Sequence, residues 1–157
     1  MSADNTLMKT WKQLSRLPKG KYLFSRLIDF KAPYFGTVNA RVEELRPNYT
    51  RLSLKKRRAV ENHIGTVHVI AICNMLEKAM GVCAETSIPD HLRWIPRGMQ
   101  VEYPAKADSD LIGIAEIDPE QWRPGDLDVK VAAYNRKGDC VVKGVIRLWI
   151  SEKKARK

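Results

Sequence analysis

Several things are scarce or missing in this 157-residue chain, and each absence removes a class of protein. Cysteine occurs only as Cys73, Cys83 and Cys140, with no Cys-x-x-Cys pair and an odd total, so neither a zinc site nor a disulfide framework is indicated. No stretch approaches the ~20 consecutive apolar residues of a membrane-spanning helix. The opening MSADNTLMKTWKQL also lacks the unbroken apolar run of a signal peptide. There is no Gly-rich phosphate loop, and no recognition helix or aromatic-basic strand signature of a nucleic-acid-binding module. The expectation is a reduced, cytoplasmic protein with no metal, no organic cofactor, no membrane span and no nucleic-acid partner.

What is present is ordinary for one globular domain with a proper core: 44% hydrophobic and 29% charged residues. Lys and Arg number 28 against 18 Asp and Glu, a net charge of +10 that favours anionic partners such as phosphate-bearing ligands or acidic carrier proteins.

Taken in order, Leu7, Trp11 and Leu14 recur at helical spacing behind a cap at Asp4 or Asn5, and Leu23, Phe24, Leu27 and Ile28 repeat the pattern after the Pro18-Lys19-Gly20 break. Residues 1–35 thus read as an arm of two short helices stopped by Ala32-Pro33-Tyr34-Phe35-Gly36. From Gly36 the period changes to two. Val38, Ala40 and Val42 alternate with polar residues, Arg46-Pro47-Asn48 turns the chain, and Thr50, Leu52 and Leu54 form the second limb of a hairpin. The basic knot Lys55-Lys56-Arg57-Arg58 reads either as a solvated loop or as a phosphate contact.

The stretch Val60 to Gly81, VENHIGTVHVIAICNMLEKAMG, is the organising element. Val67 to Met80 predicts one helix with apolar side chains on every side, which must be buried. Gly65 and Thr66 mark its start and Gly81 its end. His68, Asn74 and Glu77 interrupt it, and a carboxylate there is costly unless paired, protonated or used. An irregular link from Glu85 to Arg97 follows. Four strands come next: Met99 to Ala107 (Met99, Val101, Tyr103 and Ala105 inward), Leu111 to Ile117, Leu127 to Asn135, and Cys140 to Ile150. Arg136-Lys137-Gly138-Asp139 is a tight turn, and Ser151 to Lys157 a charged tail. Short polar links imply an antiparallel sheet wrapped around the one apolar helix, an α+β domain over residues 36–150. A homodimer joined through sheet edges would cover the remaining surface.

These elements, and Asn62, Gly65, His68 and Glu77 in particular, resemble the hot-dog-fold thioesterase superfamily, especially its phenylacetate-pathway type and the related uncharacterised proteins of that fold. The family pattern is an Asn, a Gly three residues later, a His three beyond, and a catalytic carboxylate nine residues after the His. The resemblance spans roughly Gly36 to Ile150. It implies hydrolysis of an acyl thioester carried by coenzyme A or acyl carrier protein, at a site between two subunits of a homodimer or a tetramer of such dimers.

Transposed, Glu77 becomes the general base or nucleophile, the Val69 amide the oxyanion donor, and Asn62 and His68 the groups that orient water or the carbonyl. The physical logic is that unpaired amides at a helix N-terminus favour an oxyanion, and that an apolar wall raises a carboxyl pKa toward a value useful for a base. Gly65 falls beside the substrate, Asn74, which the family pattern does not assign, either contacts the acyl group or hydrogen-bonds across the dimer seam, and Arg97 and Lys106 are candidates for coenzyme A phosphates. One departure stands out: Val69-Ile70 replaces the Gly-Gly that follows the His in phenylacetate-type members. The alternative is therefore a catalytically silent acyl-thioester-binding protein of the same fold. Each residue also has a plain structural reading: Glu77 as surface charge, His68 as a satisfied core histidine, Asn62 as a turn, Gly65 as a left-handed position.

Overall fold

The computed structural model describes residues 5–154. The chain begins with α1 (Thr6–Leu14), capped by Asn5, whose Oδ1 accepts from the Met8 amide at 3.1 Å. Asp4, the alternative cap, lies outside the described residues, as do the last three residues of the tail. Trp11 points inward and meets Phe24 of α2 (Gly20–Lys31) edge to face, ring centroids 5.1 Å apart. A third helix, α3 (Pro33–Val38), follows.

That third helix corrects the expectation of a stop at Pro33 and a strand from Gly36. Proline fixes the φ a helix needs at its first position, where the missing N–H is no loss, so Pro33 starts a helix here. Val38 and Ala40 are buried as the end of α3 and its link, and β1 (Arg41–Arg46) begins only after Asn39 takes φ 60°.

β1 and β2 (Tyr49–Leu54) form the expected hairpin, turned at Asn48, also at φ 60°. With β3 (Leu92–Glu102), β4 (Leu111–Glu116), β5 (Gly125–Tyr134) and β6 (Cys140–Glu152) they make one antiparallel sheet of order β1-β2-β4-β5-β6-β3. The predicted turn at 136–139 joins β5 to β6. Across the sheet lies α4 (Val69–Ser87), the long central helix, packed mainly on β4 and β2. This is the hot-dog architecture, with the core between Ile72, Met75, Leu76, Ala79 and Cys83 of the helix and the alternating inward residues of β2, β4, β5 and β6. Each such side chain contributes roughly 1.5–3 kcal/mol by leaving water, and that burial orients α4 on the sheet.

Three further expectations change. Gly81 does not end the helix, which continues to Ser87. A glycine lowers helix propensity without stopping a helix whose next turn, Val82, Cys83 and Ala84, is buried. The supposed irregular link is the last turn of α4 followed by β3, whose Pro96 sits beside a register shift between Pro96 and Gly98. Proline is tolerated on an edge strand or at a bulge, and β3 pairs only with β6. Finally, Met99 and Tyr103 point outward rather than inward, Tyr103 being 58% exposed, Val101 is half-buried, Ala105 is exposed, and the strand stops at Glu102. Alternation marks which residues share a face but not which face is covered, and an edge strand beyond the end of the helix has little to face.

Candidate active site at the start of the central helix

The segment before α4 is a tight loop closed by Asn62. Its Oδ1 accepts from the amides of Ile64 (3.2 Å) and Thr66 (3.1 Å), its Nδ2 donates to Thr66 Oγ1 (2.8 Å), and its own amide donates to the Thr66 carbonyl (2.9 Å). Gly65 adopts φ +75° with nothing near a would-be Cβ, so the glycine is there for its backbone conformation. Val67 then donates to the Ala107 carbonyl and His68 to the Val60 carbonyl, both at 2.8 Å, which fixes the point where the helix begins.

His68 caps that helix. Its Nδ1 accepts from the Ile70 amide at 3.1 Å, and its carbonyl accepts from Ala71 (2.9 Å) and Ile72 (3.2 Å). Of the first four amides of α4, only that of Val69 has no acceptor among the described residues. Asn62, His68, Val69 and Lys106 line one cleft of about 270 Å³, with Tyr103 on its far wall. The structure thus gathers four of the expected site residues around a free amide at the positive end of a 19-residue helix.

Glu77 lies two turns further along. It is half-buried, and its carboxylate has no hydrogen-bond or ion-pair partner among the described residues. Cys73, one turn before it, has its thiol pKa raised, chiefly by burial and secondarily by the Glu77 charge. With Ile70, 54% exposed, these residues form an open stripe on α4. The helix is therefore not enclosed on every side by its own chain, as an all-round apolar pattern led us to expect.

The other expected residues lie apart. Asn74 faces α3, its Nδ2 donating to the Tyr34 carbonyl at 3.3 Å while its buried Oδ1 has no partner. Arg97 is on β3, 3.3 Å from Asp126 and 5.0 Å from the Trp149 ring. In the basic knot, Arg57 donates to the carbonyls of Thr37 and Val38 at 3.2 and 3.1 Å, and Lys56 pairs with Glu61 at 3.0 Å. Those two side chains tie loops together.

One polar residue of α4 was overlooked. Lys78 is wholly buried, its Nζ 2.5 Å from Asp29 Oδ1 of α2 and 2.7 Å from the Ala40 carbonyl. Asp29 is itself buried, with Arg26 3.7 Å from its second oxygen. The Lys78 pKa is lowered, since burial outweighs the neighbouring Asp29 carboxylate. A lysine in the middle of an apolar helix was the signal that a buried partner must exist, though not of which residue it is.

A family model described as Domain of unknown function (DUF4442) matches residues 20–150. Among solved structures, the structural-genomics protein APC5556 is 41% identical, with 95% of this chain and 98% of that one covered at a TM-score of 0.81. A protein of unknown function from Pseudomonas aeruginosa, given as a probable thioesterase, is 22% identical over 87% and 97% of the two chains, TM-score 0.73. A hypothetical thioesterase protein with coenzyme A from Streptococcus pneumoniae TIGR4 is 16% identical over 81% and 98%, TM-score 0.66. No curated protein matches.

Proposed function

We propose that this chain, which belongs to the DUF4442 family, hydrolyses acyl thioesters of coenzyme A or acyl carrier protein as a homodimer or a tetramer of dimers. The observation that carries the reading is the free Val69 amide at the head of α4, in a fold shared with thioesterases, together with an unpartnered Glu77 carboxylate on the open stripe of the same helix. The amide, backed by the helix dipole, stabilises the oxyanion that forms as the carbonyl is attacked. Glu77 takes the proton of the attacking water and passes it to the leaving thiolate, or attacks directly to form an acyl anhydride that water then hydrolyses; either way the products are the acid and the free thiol.

The spacing of the two groups supports a site shared by two chains. Val69 and Glu77 are eight residues apart, about 12 Å along a helix axis at 1.5 Å per residue, too far for one carbonyl to meet both. β3 is a long edge strand with Ile95 (59% exposed) and Met99 uncovered, and Tyr103 is exposed just past its end, the kind of edge that pairs with another chain. Antiparallel pairing of two β3 edges sets two α4 helices antiparallel, so the head of one approaches the Glu77 turn of the other.

Within that site His68 positions the loop and first turn through its Nδ1 cap, and Asn62 holds the loop that presents the Val69 amide. Lys106, on the cleft wall, and Arg97, on the paired edge, would meet the carrier's phosphates, and Gly65 borders the substrate. The expected role of Asn74 there is not kept, because its side chain is buried against the Tyr34 carbonyl of α3. A location in the cytoplasm is consistent with such substrates, and no helix among the described residues is long and apolar enough to cross a membrane.

A second reading, a silent acyl-thioester-binding protein, is favoured by one feature: Val69 and Ile70 stand where phenylacetate-type members have Gly-Gly, and their side chains add bulk beside the free amide. Thiol release from short, long and aromatic acyl-CoAs decides between them. The hydrolase reading requires wild-type turnover and a loss of ~10²–10⁴-fold in Glu77→Gln, the range for removing a general base. Binding without turnover in both proteins establishes the silent reading instead.

A further inference from the structure

A cavity of about 650 Å³, within the range of ligand pockets, lies between the N-terminal helices and the second half of α4. Its walls are apolar: Phe24, Leu27 and Ile28 of α2, Phe35 of α3, Val82 of α4, and Trp94 of β3. The charged side chains of Lys31, Asp90 and Lys153 stand exposed at its rim, while several other polar groups at its edge are already bonded. The Lys78 amine is held by Asp29 and the Ala40 carbonyl. Glu85 accepts from Trp94 Nε1 at 3.1 Å and, through its carbonyl, from Asn5 Nδ2 at 2.5 Å. Thr10 donates to the Thr6 carbonyl at 2.8 Å. With apolar walls, and these three charges confined to the exposed rim, the cavity suits a flexible hydrocarbon.

Its position names which hydrocarbon. Gly81 lines the cavity and stands four residues after Glu77, on the same face of α4. A chain leaving a carbonyl held at Glu77 and running toward the helix C-terminus therefore passes over a residue without a side chain and enters the cavity. We propose that this cavity receives the acyl chain of the substrate, which makes medium and long aliphatic thioesters the preferred class. This rests on the hydrolase reading above for the place of the carbonyl.

The test uses Gly81→Leu and Leu27→Glu in the full chain. A Cβ at Gly81 meets only Trp94 Cη2 at 3.7 Å, an ordinary contact, and leucine favours a helix more than glycine does; an unchanged melting temperature is required of the variant before its ratio is read. Leu27 is 44% exposed and accepts a charge at the surface. Calorimetric titration of coenzyme A and its hexanoyl, decanoyl and lauroyl thioesters into Glu77→Gln, with and without each cavity change, reads binding separately from chemistry. Affinity should rise roughly fourfold per added methylene in Glu77→Gln. Either cavity change should cut the lauroyl-to-hexanoyl ratio by more than about tenfold, the equivalent of some two methylenes left in water.

A flat chain-length dependence overturns the proposal, as does a steep one that neither change touches. A change of oligomeric state on gel filtration with an unaltered ratio would make the cavity an interface and overturns it too. If the ratio collapses as expected but the wild type never releases thiol, the acyl site stands and hydrolysis falls. If thiol is released with no sensitivity to either change, hydrolysis stands and the acyl site falls.

Discussion

The buried pair of Lys78 and Asp29 permits a sharp test of what joins the N-terminal helices to the rest of the fold. Lys78→Met keeps the length of the side chain and removes its charge, leaving Asp29 4% exposed with only Arg26 at 3.7 Å to answer it. Breaking a buried pair from one side costs about 3–5 kcal/mol. A domain of this size loses about 2–4 °C of melting temperature per kcal/mol, so the midpoint should fall by about 6–20 °C. Asp29→Leu should do the same from the other side. The double variant, with both charges gone, should recover most of the loss, because an apolar pair of similar volume is neutral to stabilising in such sites.

Denaturant midpoints and calorimetry of the four proteins give the coupling directly. Losses that simply add, within about 0.5 kcal/mol, or single-variant losses below about 1 kcal/mol, as for an exposed pair, would refute the reasoning. The pair also leaves a mark in pH. Burial lowers the folded lysine pKa below its usual 10.5, so between that lowered value and 10.5 the unfolded chain holds more protons. Stability therefore rises with pH across this alkaline window, and the rise should vanish in Lys78→Met.

Two other substitutions probe the site and the sheet. Val69→Pro removes only the proposed oxyanion donor, because position one of a helix accepts proline and His68 already has the extended ψ of 133° that precedes one. Turnover should fall by ~10²–10³-fold with the melting temperature held. Mixing this variant with Glu77→Gln under subunit exchange should restore about a quarter of wild-type activity, half the dimers being mixed and each carrying one complete site; no recovery would mean that the two groups serve one chain. Gly144→Ala should disrupt β3–β6 pairing, since its Cβ would sit 2.0 Å from the Gln100 carbonyl oxygen and 2.8 Å from Val101 Cα, both backbone atoms that cannot swing aside. Hydrogen exchange along β3 should accelerate, and unchanged protection there would refute the packing.

The fold was largely legible because its strongest signals are periodic. Leu52 and Leu54, or Val129, Val131 and Ala133, show a period of two and lie buried as expected. The boundaries that failed are those where one residue type serves opposite ends of an element. Pro33 looked like a stop and is a start, Gly81 looked like an end and is interior, and Pro96 looked like a loop and lies in an edge strand. The loop residues Asn62 and Gly65 and the cap His68 carry a local signal, since their partners lie within four positions, and their placement could be read from spacing. Lys78 could not be paired by sequence alone, because its partner Asp29 is 49 positions away in a helix whose contacts with α4 exist only in the fold.

The central helix also shows why burial, assembly and chemistry meet on one element. An all-round apolar helix needs cover on three sides. The sheet supplies one, against Ile72, Met75, Leu76 and Ala79, and α1 to α3 supply the second, where Asn74, Lys78 and Val82 face them. The third side carries Ile70, Cys73, Glu77 and Gly81, and this chain leaves it uncovered in its first half. Exposing Ile70 there costs hydrophobic burial that a second copy or an acyl chain would return. A carboxylate on that side is tolerable in the single chain because water still reaches it, and under the proposed hydrolysis it is the group that would serve as base. The face left open by the chain is thus the face where substrate and partner have something to gain. Among the described residues, Glu77 is the charged group on its open first half.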